Sequence, residues 1–511
     1  MAGQEQKTQP SEWWFEYLMK KFDEKLPRKP RVETATTPKT RRERLELLWS
    51  HYIGDAPLPN INEKYRETFR ELLRKARPNY AIMAIDAMAD RSVLKGVYTD
   101  ADRDLDGDDI ARQVQDVSGF AALQRDMQTY LYTLGESYVT IVPPLDGAPA
   151  GSVPLLLAED PRYCVGEKDP LNPRHLVAAV KVFEDKINDQ QKALLFLPNQ
   201  RFVFVREPGQ HADEFNIDQW TQAEATTVAG LEDYGGIPMV RFENKMALGE
   251  YEPHLDLLDR IADGIVHRMV ISWYQSFKQR AIRGDLDGGA DFSDGNDDSL
   301  IRDLADANLA DVFQADPGTL WVVPPDVDFW ESGATDLTPL LSAIRDDVKE
   351  FGVCTRIPMH MLAPDGTNQT AEGAAMMREG LTDKISDRQA RQAPQWILLW
   401  QMVFALSGQA ARVAGIRLQW GKTENIPLAV RADAVNSTRG VLSRKRQVVE
   451  LLELDPMVAK LNETELMEES MASESAAAQM PNFGGDSAAN SAPTQGAGAA
   501  AGAAEALPEA A

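Results

Sequence analysis

Long apolar runs are missing from this 511-residue chain. None approaches the roughly 18 residues that a membrane-crossing helix needs, so no transmembrane helix is expected. Cysteine is nearly missing too. Cys164 and Cys354 have no His or second Cys at metal-ligand spacing, which excludes zinc and points to two buried thiols rather than a disulfide. The opening MAGQEQKTQPSEWWFEYL lacks the charged-then-apolar pattern of a signal peptide, so synthesis and use in cytosol, or in something assembled there, is expected. Catalytic signatures are absent as well: G-x-x-x-x-G-K-S/T, G-x-S-x-G, H-E-x-x-H and G-x-G-x-x-G do not occur. His267 sits within an apolar stretch, where a core or interface role fits better than ligation. Met359-His360-Met361 has no further soft ligand nearby, which argues against copper. The reading is non-enzymatic, without cofactor or metal. Positive charge is in deficit: 54 Lys and Arg against 79 Asp and Glu leave a net −25. Such a surface does not grip nucleic acid over its whole area, yet it is compatible with enclosing DNA without holding it.

Two acidic clusters invite a metal reading. Asp102-Arg-Asp104-Leu-Asp106-Gly107 matches the first half of an EF-hand loop. The match then fails: Gln113 stands where a bidentate Glu is needed, and Asp109 where an apolar residue usually packs. A solvated loop at a helix start is the better reading. The second cluster, 284–299, carries Asp285, Asp287, Asp291, Asp294, Asp297 and Asp298 among glycines, spaced for no single coordination sphere. It reads as a solvent-facing tip.

Residues 1–40 form an arm with an aromatic cluster (Trp13, Trp14, Phe15, Tyr17) and a basic run, KKFDEKLPRKPR. The arm is expected to be partly ordered, or to dock on a partner or nucleic acid. From Arg41 the period is helical: RRERLELLWSHYIG, with Leu45, Leu48, Trp49 and Tyr52 on one face, then NEKYRETFRELLRKA and NYAIMAIDAMADRSV. LKGVYTD reads as a strand and 106–135 as two helices. Between 136 and 240 the period changes: SYVTIVPP, VPLLLAEDP, HLVAAVKVFED, KALLFLP, RFVFVRE and PMVRFEN are β-branched or aromatic runs. The fold class is α+β and helix-rich, with an antiparallel or mixed sheet. A later strand, IRLQWGKTENIP, is expected to rejoin that sheet. From about Ala472 the chain loses its core residues, and disorder is expected.

The stretch 253–404 is then an excursion out of the first domain and back. It opens with a helix of about 30 residues, PHLDLLDRIADGIVHRMVISWYQSFKQRAIRG. Leu258, Ile261, Ile265, Met269, Trp273 and Phe277 recur along it at three- and four-residue spacing, and Val266, Val270 and Tyr274 widen the stripe. A helix so apolar must be buried. Its basic end, Lys278, Arg280 and Arg283, suits a helix C-terminus. The return helix, DLTPLLSAIRDDVKEF, has a cleaner stripe of Leu337, Leu340, Leu341, Ile344, Val348 and Phe351. A polar loop, IPMHMLAPDGTNQTAEG, precedes a long helix that Pro394 interrupts.

Seven segments in order span 41–456: LELLWSHYIGDAPLP, NYAIMAIDAMADR, YLYTLGESYVTIVPP, GGIPMVRFENKMALGEYEPHLDLLDRIADGI, IPMHMLAPDGTNQTAEGAAM, IRLQWGKTENIP and GVLSRKRQVVELLELDP. On these the chain resembles the portal (head-to-tail connector) proteins of tailed double-stranded DNA bacteriophages, in the long-tailed siphophage branch. The resemblance implies a portal fold with wing, stem, clip and short crown, assembled as a ring. Residues 41–250 would be the first part of the wing, 251–283 the stem helix, 284–335 the clip and 336–357 the stem return helix. The tunnel loop would be 358–372, facing DNA through Leu362, Asp365, Gly366, Thr367, Asn368, Gln369 and Thr370. Residues 373–430 would be the long tunnel helix and second part of the wing, 431–470 the crown, and 471–511 a disordered Ala/Gly-rich tail. The apolar stripe of the stem helix would face copies of itself, and Asp285, Asp287, Asp291 and Asp294 would mark the clip tip.

The function implied is a DNA channel at one capsid vertex for packaging, ejection and head–tail attachment. The partners implied are further copies of the chain in a dodecamer, double-stranded DNA, the terminase large subunit, a head-completion adaptor, and the major capsid and scaffolding proteins, with no membrane. The location implied is the virion, after assembly in the host cytoplasm. Twelve copies would carry a formal charge on the order of −300, which lets DNA slide without sticking. The alternative is a capsid-associated scaffold or adaptor without a channel. A calcium-dependent hydrolase using 102–106 comes third.

Overall fold

A computed structural model describes residues 10–27, 37–58, 70–102, 107–144, 147, 149, 151–207, 215, 219–276, 280–283, 328–331, 333, 335–362, 371–424, 428–452, 454 and 456–478. The chain divides into two units, Met1–Pro427 and Leu428–Ala511.

The first unit begins with α1 (Ser11–Phe22), so the stretch 1–40, read as a partly ordered arm, carries a helix. Phe15, Leu18, Met19 and Phe22 are buried in one cluster with Val180, Leu195 and Phe204 of a five-stranded sheet. Phe15 stacks on Phe204 with centroids 4.0 Å apart. Of the aromatic cluster, Phe15 is thus core of its own chain, Trp14 and Tyr17 pack partly buried against it, and Trp13 stays 41% exposed. The next helix, α2 (Arg41–Tyr52), starts in a capping box: the Thr40 hydroxyl accepts from the Glu43 amide, and Glu43 reaches back to the Thr40 amide. Leu45 and Leu48 are buried from it. Behind it come α3 (Arg70–Lys75) and α4 (Tyr80–Ala89), then β1 (Leu94–Tyr98), α5 (Asp109–Val117) and α6 (Phe120–Leu134).

The pairings between the described strands are all antiparallel, but they form separate sheets. β2 (Glu136–Val142) lies between β3 (Leu155–Glu159) and β9 (Met239–Glu243). β4 (Cys164–Lys168), β5 (Leu176–Asp185), β6 (Gln190–Leu197), β7 (Gln200–Arg206) and β8 (Thr221–Thr227) follow one another in the five-stranded sheet. β2 shows no in–out alternation because both its faces are covered: Val139 and Ile141 enter the main core, while Tyr138 packs in a cluster with Cys164 and Leu176. Two strands carry little sequence signal. β4 is the short CVGEK, and β8 is TQAEATT, an exposed polar edge.

After β9 the chain enters α7 (Leu255–Ser276), then β10 (Arg280–Arg283), which pairs with β11 (Asp328–Glu331). It returns through α8 (Thr338–Thr355), α9 (Met359–Leu362) and α10 (Ala371–Leu406) to β12 (Arg417–Trp420). β12 pairs with β1, not with the sheets of 136–240. The excursion does come back to the first domain, but to an earlier strand than the hydrophobic pattern indicated. α10 continues through Pro394, contrary to the expected interruption. A proline costs one amide donor; the buried Trp396, Leu398, Leu399 and Trp400 just beyond it hold the helix to the core, and the Pro394 carbonyl accepts from Arg174 at 2.8 Å.

The second unit consists of α11 (Leu428–Ser437), the short α12 (Arg444–Arg446) running into a π-turn at Gln447–Leu451, and α13 (Pro456–Ala478). Helix persists to Ala478, so the expected disorder does not begin at 472. The rest of the tail lies outside the described residues.

Candidate functional site: a helical hairpin and its root

The candidate site is the antiparallel hairpin of α7 and α8. α7 spans about 33 Å at an ordinary helical rise. Gly264 lets the two helices approach closely: a Cβ there would lie 2.9 Å from Ile344 Cγ1. On the outer face Arg260 bridges Asp347, at 2.9 Å, and Glu350. Near the far end the Gln275 amide donates to the Thr335 carbonyl at 3.3 Å. Partial desolvation, then the neighbouring Asp263 and Asp256, push the Asp259 carboxyl up to about 6.

The two halves of α7 differ in burial. In the first half Leu258 is 4% exposed and Ile261 0%, both within the main core that also holds Val348, Phe351, Leu381 and Ile385. These two residues have no surface left for a neighbouring copy. Their assignment to an intersubunit interface is therefore corrected: the stripe there is satisfied within one chain. Farther along, Ile265, Met269 and Val270 are partly buried over the small cluster of Leu73, Ala76 and Val266, and Trp273 is 44% exposed. Beyond Val266 no described α7 residue is fully buried.

The helix also ends early. It stops at Ser276, and Arg280 and Arg283 lie in β10, opposite Glu331 and Asp328 in register. The basic end is thus not a helix C-terminus. Phe277, Lys278, Asp285, Asp287, Asp291 and Asp294 lie outside the described residues. So do Asp365, Gly366, Thr367, Asn368, Gln369 and Thr370; Leu362 closes α9, against Gly352, where a Cβ would lie 2.7 Å from its Cδ1.

At the root, charges that no motif announced tie the hairpin down. Glu250, just before α7, accepts from Lys384 at 2.7 Å, from Arg388 at 2.6 Å and from Asn244 at 2.9 Å. Lys384 also donates to the carbonyl of Thr355, the last residue of α8, at 3.0 Å. One helix, α10, thereby holds both strands of the hairpin base. Burial alone would raise the Glu250 carboxyl, but Lys384 and Arg388 outweigh it and hold it below its ordinary value. A cavity of about 340 Å³ adjoins this cluster, lined among others by His254, Cys354, Arg356 and Asp387. No sequence signal marked the cluster, because LTDKISDRQARQ (381–392) reads as an ordinary polar stretch of helix.

The acidic loop has a protein counter-ion. Asp102, Asp108 and Asp109 bring carboxylate oxygens within 4.8 Å of one another. Arg412 sits among them, 2.6 Å from Asp108 and in contact with Asp109. Asp108 also caps α5 through the Ile110 and Ala111 amides. Asp104 and Asp106 lie outside the described residues.

In class, then, this is a helix-rich α+β body with a helical hairpin inserted between two parts of it. No family model matches the chain. The portal protein of Mycobacterium phage D29 is 23% identical to it over 392 residues, which is 73% of this chain and 75% of that one. Among solved structures, the neck of a native gene transfer agent particle, computed with C12 symmetry, aligns over 79% of this chain and 98% of that one, at 13% identity and a TM-score of 0.39. A chain of the native gene transfer agent virion aligns over 83% and 96%, at 14% identity and a TM-score of 0.38.

Proposed function

We propose that this chain is a phage portal subunit that forms a ring around a DNA channel at one capsid vertex. The observation that carries the reading is the similarity to a portal protein over 392 residues. The seven segments in order and the inserted hairpin support it. In this role the distal half of the hairpin packs against neighbouring copies, the clip at 284–335 docks a head-completion adaptor, and the tunnel loop at 358–372 borders the DNA. The terminase large subunit and the capsid and scaffolding proteins are the further partners, met in the host cytoplasm before the ring becomes part of the virion. The role is structural rather than enzymatic, and the strongly negative net charge suits a channel that conducts DNA without binding it.

The test is the mass and image of the purified full-length protein. Twelve chains of 56.7 kDa give a particle of about 0.7 MDa, with a central hole in negative-stain images. A stable monomer, or an assembly without a hole, contradicts the reading and favours a scaffold or adaptor.

A further inference from the structure

A second buried ion cluster lies where α1, α2 and the two larger sheets meet. Glu136, with a side chain 8% exposed, faces two guanidinium groups: Arg41 at 2.6 Å and Arg241 at 2.6 Å. The other cations around it have carboxylates of their own. Arg44 forms a two-pronged pair with Glu252, and Lys21 pairs with Glu167. Glu243 is shared between Lys168 and Arg241, lying 3.3 Å from the latter. Three cations, Arg41, Arg241 and Lys168, thus share two carboxylates, Glu136 and Glu243, leaving about one positive charge uncompensated.

The donors show the same imbalance. Arg41 spends Nε and Nη2 on Glu136 and on the carbonyls of Pro161 and Cys164. Its Nη1 and the Nε of Arg241 are buried without an acceptor. Both residues line a cavity of about 300 Å³, together with Lys21, Lys25, Arg44 and two acidic residues, Glu24 and Glu136. A buried cation without a counter-charge is costly, and unpaired guanidinium N–H groups add to that cost. An oxyanion cancels both, because its several acceptor oxygens match the guanidinium fork.

We propose that this cavity binds a small tetrahedral oxyanion, such as inorganic phosphate or sulfate, held by Arg41 and Arg241. It would join the core beneath α1 to the core beneath α2, and so fasten the N-terminal helix to the body. The site does not depend on the portal reading.

The experiment compares thermal unfolding of the full-length protein in inorganic phosphate and in chloride at equal ionic strength. Wild-type protein is expected to gain about 3 °C at saturating phosphate. Arg241→Gln removes the surplus charge and is expected to lose that gain, whereas Arg391→Gln, outside the cavity, keeps it. Equal gains in wild-type and Arg241→Gln, or no gain over chloride in wild-type, overturn the proposal, leaving water or a partner's carboxylate as the occupant. Should Arg241→Gln fail to fold, equilibrium dialysis of wild-type protein decides. Phosphate bound at about one or more per chain, and displaced by sulfate, supports the site; none bound overturns it.

Discussion

The two halves of α7 carry the same kind of apolar stripe and put it to different uses. Leu258 and Ile261 vanish into the body's own core, whereas Trp273, three to four turns on, stays 44% exposed. Sequence periodicity cannot tell these cases apart, because it reports that a face must be covered and not by what. The distinction narrows the intersubunit role proposed for this helix to its distal half.

The comparison is broken most severely by Ile261→Asp. A carboxylate placed at a fully buried position has no partner, so destabilisation of about 4 kcal/mol or more is expected, seen as loss of cooperative melting in the full-length protein. A folded, merely unassembled Ile261→Asp protein would show that the first half does serve as an interface. Next in size is Glu250→Gln, which leaves Lys384 without its carboxylate and Arg388 with Asp387 alone. A cost of about 3 kcal/mol is expected, read as a fall in Tm, with proteolysis beginning at the hairpin root. An unchanged Tm would mean that this cluster does not anchor the hairpin.

A smaller effect is expected from Asp259→Asn. The Asp259 carboxyl is raised to about 6 in the folded chain, above its ordinary value of 3.8. The folded state therefore binds this proton more tightly than the unfolded state does, and wild-type stability falls as pH rises between those two values. Asp259→Asn is expected to raise Tm slightly at pH 7 and to lose that advantage as the pH is lowered below about 4. A gain independent of pH would assign the effect to something other than this carboxyl.

Much of the fold was legible in the sequence. The apolar face of α2, the strands with β-branched runs and the excursion between 253 and 404 all follow from periodicity and turn residues. The parts that were not legible have physical causes. β8 is a polar edge strand with no buried face to leave a pattern, and β12 chose its partner by long-range packing. α1 looked like an arm because its aromatic residues cannot reveal whether they cover this chain or another. The hairpin was visible as an apolar excess. Its anchor was not, since Glu250, Lys384 and Arg388 meet only after the chain has folded back across more than a hundred residues. Arg412 likewise reaches the acidic loop from far along the chain, which is why a half-matching calcium motif stood there without its counter-ion.

The most direct measurement is the solution mass of Trp273→Asp beside that of wild-type protein, each with its melting curve. Trp273 lies beyond Val266, where no described α7 residue is fully buried, so the variant is expected to melt within about 1 °C of an unassembled wild-type chain and yet to run as a monomer or small oligomer, while wild-type protein is expected to form rings. Normal rings from Trp273→Asp, with wild-type mass and a central hole, would contradict the assignment of the distal hairpin to the contact between copies.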